Sequence, residues 1–215
     1  MNLTTKAGQE RYFTVSADGT LTAVEVGLEE TPPEVQKTIK AQVGAGKLEN
    51  IEKTIEDKDI SYEVDMTTKA GQERSFTVGI DGKLTMAQIG LEEVPTAAKK
   101  TFEEHLGNQK FGDIYRMYDG ANISYDAEVH QGDKTRDIVV SADGKLESIQ
   151  VFLGELPTAA QKTIQEKLGS GQIIRIDKST EKRGGVEPFE VEARKDGKPF
   201  NFSVGPRGRF LGVDQ

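Results

Sequence analysis

Residues 3–11 read LTTKAGQER, and residues 66–74 read MTTKAGQER. The match continues: FTVSADGTLTAVEVGLEETP from Phe13 is answered by FTVGIDGKLTMAQIGLEEVP from Phe76. IVVSADGKLESIQVFLGELP follows from Ile138, and a shorter version, FSVGPRGRFLGVDQ, from Phe202. Pro, Gly and apolar positions stay in phase through all four. A fixed period of roughly 63 residues marks an architecture built by repetition, and about three and a half copies are present.

Each unit opens at a proline: Pro32, Pro95 or Pro157. Proline suits a first helical turn, where its missing N–H has no intrahelical partner. Apolar residues then recur at spacing four, as Val35, Ile39 and Val43; Ala98, Phe102 and Leu106; Ala160, Ile164 and Leu168. That is one buried stripe of a short amphipathic helix. Gly44, Gly107 and Gly169 supply the stop.

A strand follows near Ile51, Ile114 and Ile176. A second alternates through Tyr62, Val64 and Met66; Tyr125, Ala127 and Val129; Phe189, Val191 and Ala193. A third (Phe13, Phe76, Ile138, Phe202) turns at Asp18-Gly19, Asp81-Gly82 and Asp143-Gly144, a hairpin signal, or at Pro206-Arg207-Gly208 in the last copy. The fourth strand returns through Leu21, Leu84, Leu146 and Leu211, and a later slip of its apolar phase suggests a bulge.

The expected fold class is therefore α+β: tandem two-layer repeats, each one helix packed on a four-stranded antiparallel sheet with a polar outer face. The expected divisions are an N-terminal β-hairpin at 1–28, the remnant of a preceding repeat, and repeats at 29–92, 93–154 and 155–215. The hairpin should pack beside the first helix. Its open edge invites pairing and should be capped either by another chain, as in a homo-oligomer through that edge, or by native sequence preceding it.

Composition narrows the function. The net charge is -8, with 36 acidic and 28 basic residues. That balance opposes nucleic acid and anionic membrane as partners. There are no cysteines, which removes disulfides, thiolate catalysis and Cys-based metal sites. No apolar run approaches the roughly 18 residues of a membrane helix. MNLTTKAGQERYFTV lacks the apolar stretch of a signal peptide, so an exported protein would have lost that segment.

From Leu156, the Leu-Pro-led helix with K-T-I, the Gly-rich break, the I-x-x-I strand, the F-E-V strand and the D-G-K hairpin resemble the PepSY-like family. The fold implied is similar to that of the beta-lactamase inhibitory protein. The resemblance implies export to the periplasm or cell surface and a binding role, such as inhibition of a peptidase or other hydrolase. It carries no catalytic residues to transfer.

The residues themselves show little reactive chemistry. His105 and His130 fall at different repeat positions and share no motif. The Asp-Gly turns lack the alternating oxygen ligands of a calcium loop. No cofactor or metal site is expected. Glu63 and Asp65, Asp126 and Glu128, and Glu190 and Glu192 alternate with buried residues and should face the open side of the sheet, as a solvated surface or as a face for a basic partner. In the middle copy Tyr115 and Met117 stand where others carry Glu52 and Thr54, or Asp177 and Ser179. With Phe152 they are candidate interface residues. The expectation is a non-catalytic exported binding module with a protein partner; the alternative is a spacer segment of a larger envelope protein.

Overall fold

The computed structural model describes residues 2–4, 10–16, 18–56, 59–106, 110–132 and 134–213. The described residues include three α-helices of eleven residues each, α1 (Pro33–Val43), α2 (Thr96–Leu106) and α3 (Thr158–Leu168). The strands before α2 are β1 (Asn2–Thr4), β2 (Glu10–Val15), β3 (Leu21–Glu25), β4 (Lys47–Glu56), β5 (Asp59–Thr67), β6 (Glu73–Gly79) and β7 (Leu84–Ile89). After it come β8 (Lys110–Asp119), β9 (Asn122–Gln131), β10 (Lys134–Ser141) and β11 (Leu146–Gln150). Past α3 lie β12 (Gln172–Ser179), β13 (Phe189–Lys195), β14 (Lys198–Pro199), β15 (Phe202–Val204) and β16 (Phe210–Val213).

The fold class departs from the expected tandem two-layer repeats. Strand pairing follows chain order through one antiparallel sheet, with β14 paired to β13 off the main path. The protein is mostly β, and it is not a row of separate helix-on-four-strand layers. The reason lies at the junctions. The last strand of one copy would expose a row of unpaired backbone groups, and pairing with the first strand of the next satisfies them. Thus Val24 faces Lys53 across β3 and β4, and Ile149 faces Lys178 across β11 and β12. Backbone bonds extend the same junctions, Val26 N–H to the Ile51 carbonyl and Val151 N–H to the Ile176 carbonyl, both at 2.9 Å.

The chain divides into two compact units: Met1–Gly90 with Tyr115–Ile123, and Leu91–Ile114 with Ser124–Gln215. In the first, Val35 and Ile39 of α1 pack on Tyr62, Val64, Phe76 and Val78. In the second, Ala160 and Ile164 of α3 pack on Val191, Ala193, Phe202 and Val204. The apolar stripe at spacing four thus meets strand residues at spacing two. Each fully buried Val, Ile or Phe contributes about 1.5–3 kcal/mol. Phe102 of α2 is fully buried and meets the edge of Phe111, ring centroids 5.9 Å apart.

Gly44 and Gly169 end their helices at positive φ, while Gly107 lies outside the described residues. The phase slip in the fourth strand is a bulge. Thr14 faces Ala23 and Val15 faces Leu21, leaving Thr22 unpaired in the ladder. The register shifts likewise at Thr77/Val78, Val139/Val140 and Ser203/Val204.

Each helix is also tied to the hairpin turn of its own copy. The Thr38 hydroxyl donates to the Gly82 carbonyl at 2.6 Å, and Thr163 to that of Gly208 at 2.7 Å. The turns approach so closely that a Cβ on Gly208 would lie 2.6 Å from the Ala159 carbonyl oxygen.

Candidate functional site

Helices cover one side of the strands and leave the other side open. The six strand carboxylates alternate with buried residues. Glu63 and Asp65 flank buried Val64 on β5 and are exposed. Glu190 and Glu192 flank buried Val191 on β13 and are exposed too. Asp126 and Glu128 flank buried Ala127 on β9 and are half-buried.

In the first unit, Glu63 stands directly opposite Glu52 in the β4–β5 register. Partial burial raises the Glu63 carboxyl above the ordinary range, and Asp65 and Glu52 raise it further. Like charges placed opposite each other oppose folding.

The second unit holds a tighter constellation, centred on Arg175. In β12, Ile173 faces Ala193 but Arg175 faces Glu192, so Ile174 is an extra, half-exposed residue. The bulge lets Ile173 and Ile176, three apart, both reach the core. It also turns Arg175 to the open side. There the guanidinium Nε donates to Asp177 Oδ2 at 2.6 Å, and Nη1 donates to Asp137 of β10. Burial alone would lower the Arg175 pKa, but its hydrogen bonds to Asp177 and Asp137 outweigh that and raise it. Gln150 of β11 accepts from the Asp137 N–H at 3.2 Å, between these two strands.

Asp126 completes the cluster. Burial pushes its carboxyl up to about 6, with Asp137 the next cause; Arg175 pulls it down, and Asp177 and Glu128 push it up again. Asp126 Oδ1 and Asp177 Oδ1 are buried without a hydrogen-bond partner among the described residues. A desolvated carboxylate in that state is costly. The arrangement can attract and orient a cationic group. It places no nucleophile beside a base.

Arg175, Asp137 and Asp177 were not among the sequence candidates. The signal for Arg175 was the I-x-x-I motif itself, because an apolar spacing of three inside a strand requires an extra residue.

Tyr115 and Met117 on β8 are half-buried, as is Phe152. The Phe152 ring lies under Lys134 Nζ at 4.4 Å and the Arg136 guanidinium at 5.3 Å. Arg136 in turn pairs with Glu155 at 2.7 Å, and Glu155 accepts the Phe152 N–H at 2.9 Å. The first copy repeats this device with Arg11, Glu30 and the Gly27 N–H.

His105 Nδ1 lies 2.9 Å from the Thr101 carbonyl, and His130 Nδ1 lies 4.0 Å from Glu128 Oε1. Among the described residues no group of three His, Asp or Glu side chains could hold a metal ion. At the end of the open face, Arg183 donates to the buried Ser203 hydroxyl at 2.7 Å.

Neither a protein-family model nor a curated protein matches the chain. Solved structures similar to it include a BLIP-like protein from Bacteroides fragilis, 13% identical, with a TM-score of 0.41, over 56% of this chain and 85% of that one. A DUF2874-family protein from Bacteroides vulgatus, provisionally placed in the periplasm, is 17% identical, with a TM-score of 0.38, over 62% of this chain and 98% of that one. The resemblance to PepSY-like sequences has no counterpart among family models. No helix among the described residues is long and apolar enough to cross a membrane.

Proposed function

We propose that the protein is a non-catalytic, exported module that binds a protein partner through the acidic open face of its second unit. The observation that carries this reading is the Asp126 carboxyl. It is kept half-buried between Asp137, Asp177 and Glu128, although Arg175 already holds two of those three. An asparagine would fit there at lower electrostatic cost. Perturbed carboxyls gather at sites that meet ligands more often than at plain surface. The partner chemistry that answers this face is a lysine- or arginine-bearing protein surface, and inhibition of a peptidase or other hydrolase is one form such binding would take.

Affinity capture from a bacterial envelope extract tests the reading. It compares the wild-type chain with one carrying Glu128→Gln and Glu192→Gln, both on the open face of the second unit. The expected result is a protein retained by the wild type, released by salt and lost with the variant, since rim charges act through screened attraction. Identical retention by both chains overturns the proposal.

A further inference from the structure

Between α1 and the start of β4 lies a cavity of about 190 Å³, lined by Leu28, Ile39, Lys40, Val43, Gly44 and Leu48. Ile39, 1% exposed, forms its floor, and the exposed Lys40 and Gly44 form its mouth. The other copies fill the matching space with their own side chains. In the second copy the positions of Ile39 and Leu48 are taken by Phe102 and Phe111, whose rings meet edge to face with centroids 5.9 Å apart. In the third copy Leu168 stands where the first has Val43; Leu168 is 6% exposed, whereas Val43 is half-buried. Two facing rings exchanged for branched aliphatic chains leave a void unless the backbone closes on it.

The backbone is held from closing. The Thr38 hydroxyl ties α1 to the Gly82 turn. At the other end of the helix, Gly44 N–H donates to the Lys40 carbonyl at 3.0 Å and Gly46 N–H to that of Val43 at 2.8 Å. Gly46 is itself pressed against β5, since a Cβ there would lie 2.5 Å from the Thr67 carbonyl oxygen. A helix fixed in this way cannot settle onto β4, and the cavity walls forgo the dispersion contacts that a filled core provides.

We infer that this cavity is a binding site for a small uncharged molecule built on a single aromatic ring. Its volume exceeds the roughly 150 Å³ of an apolar cavity that takes up benzene, and it falls short of the roughly 300 Å³ at which sites for larger ligands begin. Leu28, Ile39, Val43 and Leu48 offer no hydrogen-bonding side chain to a polar body. The carbonyl end of α1 at the mouth disfavours an anion, and Lys40 disfavours a cation. The same lysine favours a ring. Its ammonium has no ion-pair partner among the described residues. Elsewhere the chain sets lysine heads over ring faces: Lys167, in the last turn of α3, lies over Phe210 at 4.2 Å, and Lys195 over Phe200 at 5.3 Å. Lys40 occupies the last turn of α1 and would cover a bound ring in the same manner. All the walls come from residues 28–48 of the first unit, so the site stands independently of the carboxylates of the second.

The test follows the methyl resonances of the full chain, labelled with carbon-13, as phenol is added. The expected result is saturable shifts confined to the methyls of Leu28, Ile39, Val43 and Leu48, with a midpoint at about 1 mM, the weak end of specific association. Leu48→Phe and Val43→Leu each write another copy's larger residue into the cavity, and either variant, its remaining spectrum unchanged, should abolish the shifts. Lys40→Gln should weaken binding by about two- to fivefold, the scale of an exposed cation–ring contact. The inference is overturned by no shifts up to about 10 mM phenol, or by shifts that survive both cavity-filling variants. Equal affinity for cyclohexanol would overturn the aromatic class. Tighter binding of N-acetylphenylalanine amide than of phenol would overturn the free ligand in favour of a partner's side chain.

Discussion

The Thr101 hydroxyl donates to the Gly144 carbonyl at 2.6 Å, joining α2 to a hairpin turn 43 residues later in the chain. A Cβ on Gly144 would stand 2.7 Å from the Ala97 carbonyl oxygen. Helix and turn therefore fix each other, and the glycine is needed twice, for its φ of 87° and for the approach. Gly144→Ala is expected to cost about 3 kcal/mol, combining backbone strain with overpacking. Gly19→Ala, at the same φ but in open space, is expected to cost about 1–2 kcal/mol. Urea unfolding of the two variants measures the difference; equal losses would show that the helix contact is immaterial.

The hydroxyl itself is a smaller quantity. Thr101→Val keeps the shape but leaves the Gly144 carbonyl without this donor, and should lose about 1 kcal/mol. Thermal melting checks this, and an unchanged midpoint would mean water replaces the bond at no cost.

Phe102 is fully buried and edge-on to Phe111. Phe102→Ala should lose about 3–5 kcal/mol, the range for a buried aromatic. Amide exchange should show the loss first in α2 and the strands beneath it, because cooperative units open locally before the whole chain. A variant that melts with the wild type would remove Phe102 from the core.

Much of this was legible because repetition displays the same local chemistry several times. The stripe Val35, Ile39, Val43 and the alternation Tyr62, Val64, Met66 each specify an element and its buried side. The phase slip after Leu21 likewise revealed the bulge at Thr22. What misled was treating the unit as self-contained. Pairing across a junction, as between Val24 and Lys53, is a backbone matter with no side-chain signature. The site was half legible for a related reason. Asp126 and Glu128 follow from alternation, but their meeting with Asp137 and Arg175 depends on strand order and on the bulge at Ile174.

Arg175→Gln should destabilise the second unit. Its guanidinium bonds Asp137 and Asp177, and all three side chains are less than a third exposed. Loss of a partly desolvated pair partner leaves uncompensated charge, worth about 2 kcal/mol at neutral pH. Urea unfolding at pH 7 measures the loss, and an unchanged midpoint would show that the two ion pairs contribute nothing to stability.

The Asp126 carboxyl acts in the opposite sense. Its pKa in the folded chain, about 6, lies above its ordinary value of 3.8. The folded state therefore holds a proton that the unfolded chain has released. Stability from this group is complete below about pH 4, falls as pH rises to about 6, and is flat beyond. Asp126→Asn should raise stability by about 1–2 kcal/mol at pH 7.5, discounted for partial exposure, and leave it unchanged at pH 3.5. Melting curves at the two pH values distinguish this from a gain independent of pH, which would locate the effect elsewhere.

The reading of the open face as a place for a cationic partner depends on a carboxyl held there against its own preference. Carbon-13 detected titration of the Asp126 side chain between pH 2 and pH 9 measures that directly. A midpoint near 6 is expected, moving down toward the ordinary carboxylate range when Asp137→Asn removes the strongest like-charge influence on it. A midpoint at or below 3.8 in the wild-type chain would contradict it.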